Sequence, residues 1–310
     1  MDKKSKIYIA GHRGLVGSAI FRKLKELGYK NILTTDRNKI DLRSQFGVND
    51  WFYYNKPDYV FLAAAKVGGI KANMEQKGDF IYDNLMIQSN IINSSKLHGV
   101  KKLLFLGSSC IYPKMCQQPI KEEYFLSGFL EETNDAYSIA KIAGIKMCQS
   151  YNQQYGTNFI SVMPTNLYGV GDNYHPENSH VIPGLIRRIH EAKINGIVDI
   201  LCWGDGTPNR EFLNNSDLAD ACIFLMDNYN SSELINIGSG VEISIRNLTE
   251  IIRDIIYPEG NIIFNNEISL NGTPRKLLDA SKLNNMGWYP KISLKEGIEI
   301  SYQDFLLKLF

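Results

Sequence analysis

Cysteine is sparse and poorly paired in this sequence: Cys110, Cys116, Cys148, Cys202 and Cys222 are odd in number, irregularly spaced and without a CxxC pair. That pattern argues against a disulfide framework and a zinc set, so no metal is expected and the thiols are expected to be reduced. No apolar run reaches the ~18 residues of a membrane helix. Met1-Asp2-Lys3-Lys4-Ser5 leads straight into a strand-like run without the features of a signal peptide, so a cytoplasmic protein with no membrane partner is expected. Neither charge is in excess: 34 Lys and Arg face 33 Asp and Glu, for a formal net charge of +1. That balance gives no electrostatic reason to expect nucleic acid. Repeats, low-complexity tracts and long linkers are also missing. What remains is 310 residues, 44% hydrophobic and 22% charged, enough to bury a large core in one domain or two.

Lys6-Ile7-Tyr8-Ile9-Ala10 reads as a buried strand, followed by Gly11-His12-Arg13-Gly14-Leu15-Val16-Gly17 and a helix over 18–27. Strand, glycine-rich turn and helix N-terminus together form an anion cradle, in which free N–H groups point at a dinucleotide pyrophosphate. A second strand, 31–35, ends at Asp36-Arg37. An acid there holds the ribose hydroxyls of NAD, whereas an arginine takes the 2′-phosphate of NADP. Arg37 and Arg13 together suit a phosphate dianion and favour NADP(H), although Asp36 beside them suits NADH. Asp41-Leu42 is expected near the adenine.

The third strand, 58–63, runs into Ala64-Ala65-Lys66-Val67-Gly68-Gly69, small residues that let a coenzyme lie against the backbone. A helix over 79–98 carries Asn84, expected to hydrogen-bond near the site. The fourth strand, 102–107, delivers Ser108 and Cys110 to the same carboxyl edge. A strand over 158–163 follows. The expected fold is α/β, a Rossmann-type doubly wound parallel sheet with a smaller mixed α/β substrate domain. The first takes residues 1–169 and about 211–240, and the second 170–210 and 241–310, interleaved.

In Tyr137-Ser138-Ile139-Ala140-Lys141 the i,i+4 spacing sets Tyr137 and Lys141 on one helix face. An ammonium beside a phenol favours its ionised form, and a shift of about 2–3 units from its usual ~10 would make the tyrosine an acid near neutral pH. Alone, Tyr-x-x-x-Lys is common on amphipathic helices. Its neighbours carry the argument.

Those neighbours are Gly-Ser-Ser-Cys-Ile-Tyr-Pro at 107–113, Ala136 to Lys141, and Met163-Pro164-Thr165-Asn166-Leu167-Tyr168-Gly169. With the GxxGxxG loop they resemble the GDP-L-fucose synthase family, in the nucleotide-sugar branch of the extended short-chain dehydrogenase/reductases. The likeness runs from the glycine loop to Gly287-Trp288-Tyr289. It implies an NADPH-dependent 3,5-epimerase and 4-reductase acting on GDP-4-keto-6-deoxy-D-mannose. Ser108 and Tyr137 would bracket the C4 carbonyl, Lys141 would hold the nicotinamide ribose and tune Tyr137, and Cys110 and His180 would epimerise. The resemblance also implies coenzyme contacts at Ala64, Leu106, Gly107, Pro164, Asn166, Leu167 and His180, substrate contacts at Arg188, Trp203, Arg210 and Asp279, and a homodimer.

The residue types suit that chemistry. A 4-keto group acidifies the C3 and C5 protons, and a thiol near 8.5 and an imidazole near 6.5 exchange protons without a metal, while Ser108 steadies the oxyanion. Taken singly, Cys110 reads as a small buried hydrophobe and His180 as the start of a helix over 181–193. Arg187 reads as a solvated helix arginine, and His12, His98, His175 and His190 suit solvent or turn positions. In Gly272-Thr273-Pro274-Arg275-Lys276-Leu277-Leu278-Asp279 only Asp279 is assigned to the substrate. Two other readings stand beside this one: a C4 reductase acting on another GDP-4-keto-6-deoxy sugar such as a heptose, and a non-catalytic NADP-binding protein.

Overall fold

The computed structural model describes residues 1–176, 178–265 and 273–309; Gly272 lies outside them. In chain order the first elements are β1 (Ile7–Ala10), α1 (Leu15–Glu26), β2 (Ile32–Leu33), α2 (Gln45–Asn55) and β3 (Tyr59–Leu62). Next come α3 (Ile70–Glu75), α4 (Lys77–Leu97), β4 (Lys102–Leu106), α5 (Asp135–Tyr155), β5 (Phe159–Pro164) and β6 (Asn166–Tyr168). Then follow α6 (Val181–Ile194), β7 (Asp199–Cys202), β8 (Asn209–Asn214), α7 (Asn215–Asn228) and β9 (Ile235–Ile237). The last are β10 (Glu242–Ser244), α8 (Ile245–Ile256), β11 (Asn261–Phe264), β12 (Arg275–Lys276), α9 (Ser281–Asn285) and α10 (Leu294–Leu307).

Six parallel strands form the main sheet in the order β2-β1-β3-β4-β5-β9. Their apolar runs are continuous because both faces are covered, as the fold expected from the sequence requires. Ile7, Ile9, Phe61, Leu104 and Val162 bury on one face with residues of α1 and α7, while Tyr8, Val60, Leu62, Phe105 and Phe159 bury on the other with residues of α2, α4 and α5. A fully buried Phe or Ile in such a layer contributes about 1.5–3 kcal/mol. The strand order reverses at β1, which has β2 on one side and β3 on the other. In open α/β sheets ligands bind outside the carboxyl ends at such a point.

A second core gathers Tyr168, Ile182, Ile186, Phe212, Leu248, Ile252, Ile298 and Phe305. Beneath it β8 pairs with β6 and β12 in parallel and with β10 antiparallel, and β7 pairs with β11. The two cores share elements across the expected boundaries. On β8, Phe212 enters the second core and Leu213 the first, because alternate side chains of a strand face opposite ways. Leu278, Leu283 and Trp288, expected in the substrate unit, bury on the main sheet's two sides, and Trp288 Nε1 donates to Asp220 at 3.0 Å. Glu211, fully buried, ties the parts together by accepting from the N–H groups of Gly240 at 2.7 Å and Leu278 at 3.1 Å. Among the described residues no helix is long and apolar enough to cross a membrane.

Candidate active site

At the switch point the loop after β1 lies against the loop after β3. Gly11 has φ +89°, and a Cβ there would fall 2.7 Å from the backbone of Ala64, so close approach and backbone conformation both demand glycine. A Cβ on Gly17 would strike the Gly11 carbonyl. Helix α1 begins at Leu15, earlier than the sequence suggests, because the second half of the glycine motif is already helical. Its N-cap Gly14 has no side-chain cap and its first turn no acid, so the first-turn N–H groups are left available to an anion. These residues fit a dinucleotide diphosphate.

The adenosine end is more crowded with charge than expected. Arg13 Nη2 pairs with Asp36 Oδ1 at 2.9 Å, and His12 Nε2 lies 3.5 Å from the same oxygen. Arg37 is exposed. The Asp41 carboxylate is held by Arg43 at 2.7 Å, which pulls its pKa down to about 2, and Leu42 offers its carbonyl to Asn90. Asn84 accepts from the Lys66 N–H at 2.9 Å and donates to its carbonyl at 3.0 Å, fixing the loop after β3.

Ser108 begins a 3-10 turn, Ser109–Ile111, and its Oγ accepts from the Cys110 N–H at 3.3 Å. From α5, Tyr137 comes near enough to the Ser108 side chain for the serine to favour its ionised form. Lys141 Nζ donates to the Leu106 carbonyl at 2.7 Å and stands 5.7 Å from the centre of the Tyr137 ring. Phe80 meets Tyr137 edge to face at 6.4 Å. Packing places α5 here: Gln88 Nε2 donates to the Ala140 carbonyl, and Gly107 donates its N–H to Val162 at 2.9 Å.

One electrostatic expectation is reversed. Tyr137 is half-buried as a residue, yet burial is the largest influence on its phenol and raises its pKa, helped by Cys110 and opposed by Ser108. Burial also lowers Lys141, to about 8, against the favourable charge of Cys110. The cation lies over the ring and is bonded to a carbonyl, so desolvation outweighs its pull on the phenol. Tyr137 is therefore a firmly protonated donor.

On the facing side, His180 is the N-cap of α6, exposed at the surface, although the protein packed around its ring lowers its pKa. The adjacent Ser179 carbonyl lies 3.5 Å from where a Cβ on Gly69 would sit, so this segment borders the loop after β3. Asn166 Nδ2 donates to the Glu211 carbonyl at 2.8 Å, while Pro164 ends β5 and Leu167 packs on the first core. Arg188 stacks on Trp203, its guanidinium 4.4 Å from the ring centre. Arg187 pairs with Glu191 at 2.6 Å and is structural. The Asp279 carboxylate accepts from the Ser281 N–H and hydroxyl, capping α9.

A residue not assigned from the sequence completes the site. Lys276 lines one cleft with Ser109, Cys110 and Tyr112, and its register on β12 sets it opposite Arg210 on β8. Burial is the main force lowering its pKa, with Cys110 raising it and Arg210 lowering it again. The signal that would have found it is strand pairing, which a linear reading of the 272–279 stretch does not supply. Arg210 itself is lowered by burial. All five cysteines are free, and among the described residues no cluster of His, Cys, Asp or Glu is placed to hold a metal.

A coenzyme loop, a Ser-Tyr-Lys set and a buried thiol thus meet at one sheet edge. The sequence profile of the NAD dependent epimerase/dehydratase family matches residues 7–238. The chain belongs to that family. Among family relatives, GDP-L-fucose synthase 1 of Arabidopsis thaliana is 55% identical over 98% of this chain and 94% of its own. GDP-L-fucose synthase of Escherichia coli strain K12 is 50% identical over 98% of this chain and 97% of its own. The solved structure of a GDP-mannoheptose C4 reductase from Campylobacter jejuni, with NADP bound, superposes with a TM-score of 0.90 at 40% identity, covering 99% of each chain.

Proposed function

We propose that this protein converts GDP-4-keto-6-deoxy-D-mannose to GDP-L-fucose, epimerising C3 and C5 and then reducing C4 with NADPH. The observation that carries the reading is the meeting of Ser108, Cys110, Tyr137 and Lys141 at the carboxyl end of β4, in a chain whose full-length relatives include GDP-L-fucose synthases. The C4 ketone acidifies its neighbouring C–H bonds. Cys110 and His180 exchange those protons, and the lowered pKa of His180 leaves it neutral and ready to accept one. Ser108 hydrogen-bonds the developing oxyanion. Bound NADPH supplies the hydride. Tyr137 then delivers its proton to the C4 oxygen, while Lys141 orients the nicotinamide ribose. Arg188 with Trp203 suits a planar base, Arg210 suits a diphosphate, and Asp279 can accept hydrogen bonds from guanine or hydroxyls.

Turnover in heavy water tests this. NADPH oxidation with deuterium at both C3 and C5 of the product is expected. Reduction without deuterium would instead support a second reading, a C4 reductase acting on another GDP-4-keto-6-deoxy sugar such as a heptose, which the likeness to the Campylobacter enzyme favours. Coenzyme binding without any turnover would leave a non-catalytic NADP-binding protein.

The same reading includes a cytoplasmic homodimer. Exposed Tyr82 and Leu97 on α4 and Ile139 and Tyr155 on α5 support a paired-helix interface, and sedimentation at micromolar concentration tests it.

A further inference from the structure

Strand β9 sends Ile235 and Ile237 into the first core, so Asn236 between them faces the opposite layer, the one that buries Tyr112, Ile120 and Leu278. Asn236 is fully buried, and a buried amide is costly unless each of its polar atoms is used. All are used. Oδ1 accepts from the Tyr112 hydroxyl at 2.6 Å, and Nδ2 donates to the carbonyls of Ile120 at 2.9 Å and Asp279 at 3.1 Å. Its backbone N–H donates to Glu122 Oε1 at 2.9 Å. A buried polar group satisfied in this way fixes one arrangement of its partners.

Those partners belong to the two segments that line the cleft. Tyr112 follows the turn that carries Cys110, and that turn holds itself weakly: the N–H groups of Cys110, Ile111 and Tyr112 donate back to Ser108 and Ser109 at 3.3, 3.3 and 3.5 Å. The bond to Asn236 is far shorter than any of these. Asp279 ends the stretch that begins at Lys276, and its N–H donates at 2.8 Å to the same Ile120 carbonyl that Asn236 holds.

We infer that Asn236 is a positioning residue for the epimerisation, fixing the Cys110 turn against the Lys276 segment across the cleft. The inference rests on the reading of Cys110 as an epimerising group. Proton transfer at carbon demands aligned partners, and a misplacement of about 1 Å costs about a hundredfold in rate. The reduction centre is held by other bonds, from Lys141 to the Leu106 carbonyl and from Gln88 to the Ala140 carbonyl, neither of which passes through Asn236. The two halves of the reaction therefore separate.

Tyr112→Phe deletes only the hydroxyl that meets Asn236, and the full chain carrying it tests the inference. Deuterium uptake at C3 and C5 from GDP-4-keto-6-deoxy-D-mannose in heavy water should fall by about 10- to 100-fold. Oxidation of GDP-L-fucose by NADP+, the reverse of the C4 step, needs no inversion and should stay within about threefold of wild type. Asn236→Asp, which keeps an acceptor for Tyr112 but loses both N–H donors to the carbonyls, should show the same split; if it fails to fold, Tyr112→Phe alone decides. Equal losses in exchange and in GDP-L-fucose oxidation, or no loss in either, overturn the inference. A wild type that oxidises GDP-L-fucose yet exchanges no deuterium overturns the epimerase reading instead, which separates the two failures.

Discussion

Lys276 and Cys110 line one cleft although they are far apart in the chain, and the parallel bridge between Ile120 and Leu278 joins the segments that carry them. A cation there can hold the negative charge that develops on the sugar when a carbon-bound proton is removed. Lys276→Met should therefore slow deuterium uptake at C3 and C5 by about 10- to 100-fold while leaving coenzyme affinity unchanged. Lys276→Arg should restore part of the rate. Equal losses in exchange and in coenzyme binding would show that the lysine acts only through packing.

The reduction half depends on Tyr137 and Lys141. Phenylalanine at 137 removes the only proton Tyr137 offers to the C4 oxygen and should cost about 10²- to 10⁴-fold in NADPH oxidation. Lys141, lowered to about 8 by burial, is charged below that pH and neutral above it. Reduction should decline as pH rises through about 8, whereas the wholly ionised guanidinium of Lys141→Arg should move the decline to higher pH in whatever activity remains. A flat profile between pH 7 and about 9 would contradict the assignment.

Gly144 allows α5 to lie close enough to the sheet for Tyr137 and Lys141 to reach Ser108. A Cβ there would collide with the Phe105 ring and stand 2.9 Å from Gln88 Oε1. Gly144→Val should cost about 1–3 kcal/mol or more in stability and depress reduction in the protein that remains folded. Thermal unfolding and NADPH oxidation on the same sample check both.

The parallel sheet was legible because continuous apolar strands alternate with glycine turns, and the placement of Ser108 and Cys110 because they directly follow β4. Helix α2 was not assigned: Trp51, Phe52, Tyr53 and Tyr54 run together without a helical period, and its start depends on Ser44 Oγ accepting from the Gly47 N–H. Strand β8 was hidden because Asn209-Arg210-Glu211 is polar, and Glu211 is buried only through partners distant in the chain. The reversal at Tyr137 has a similar origin. Sequence spacing shows that Lys141 is near, but only three-dimensional packing shows how little solvent stabilises the phenolate.

Asp172 offers a test of stability separate from the chemistry. It is buried beside the end of α10, where burial first, and then the charge of Asp304, raises its pKa to about 7 despite the Asn173 N–H and Lys308. The folded-state pKa exceeds the unfolded one, so the folded chain binds more protons between about pH 4 and 7, and stability falls as pH rises through that window. The full penalty, at most about 4 kcal/mol, applies above pH 7. Asp172→Asn keeps the Oδ1 acceptor used by Asn173 at 2.8 Å but cannot ionise. Its new amide takes the place of Oδ2, which already lacks a partner, so a charged unsatisfied group is exchanged for a neutral one. The variant should be more stable than wild type at pH 8 by about 1–2 kcal/mol and should lose the slope between pH 4 and 7. Urea unfolding at several pH values reads both quantities, and parallel slopes for the two proteins would rule out Asp172 as the titrating group.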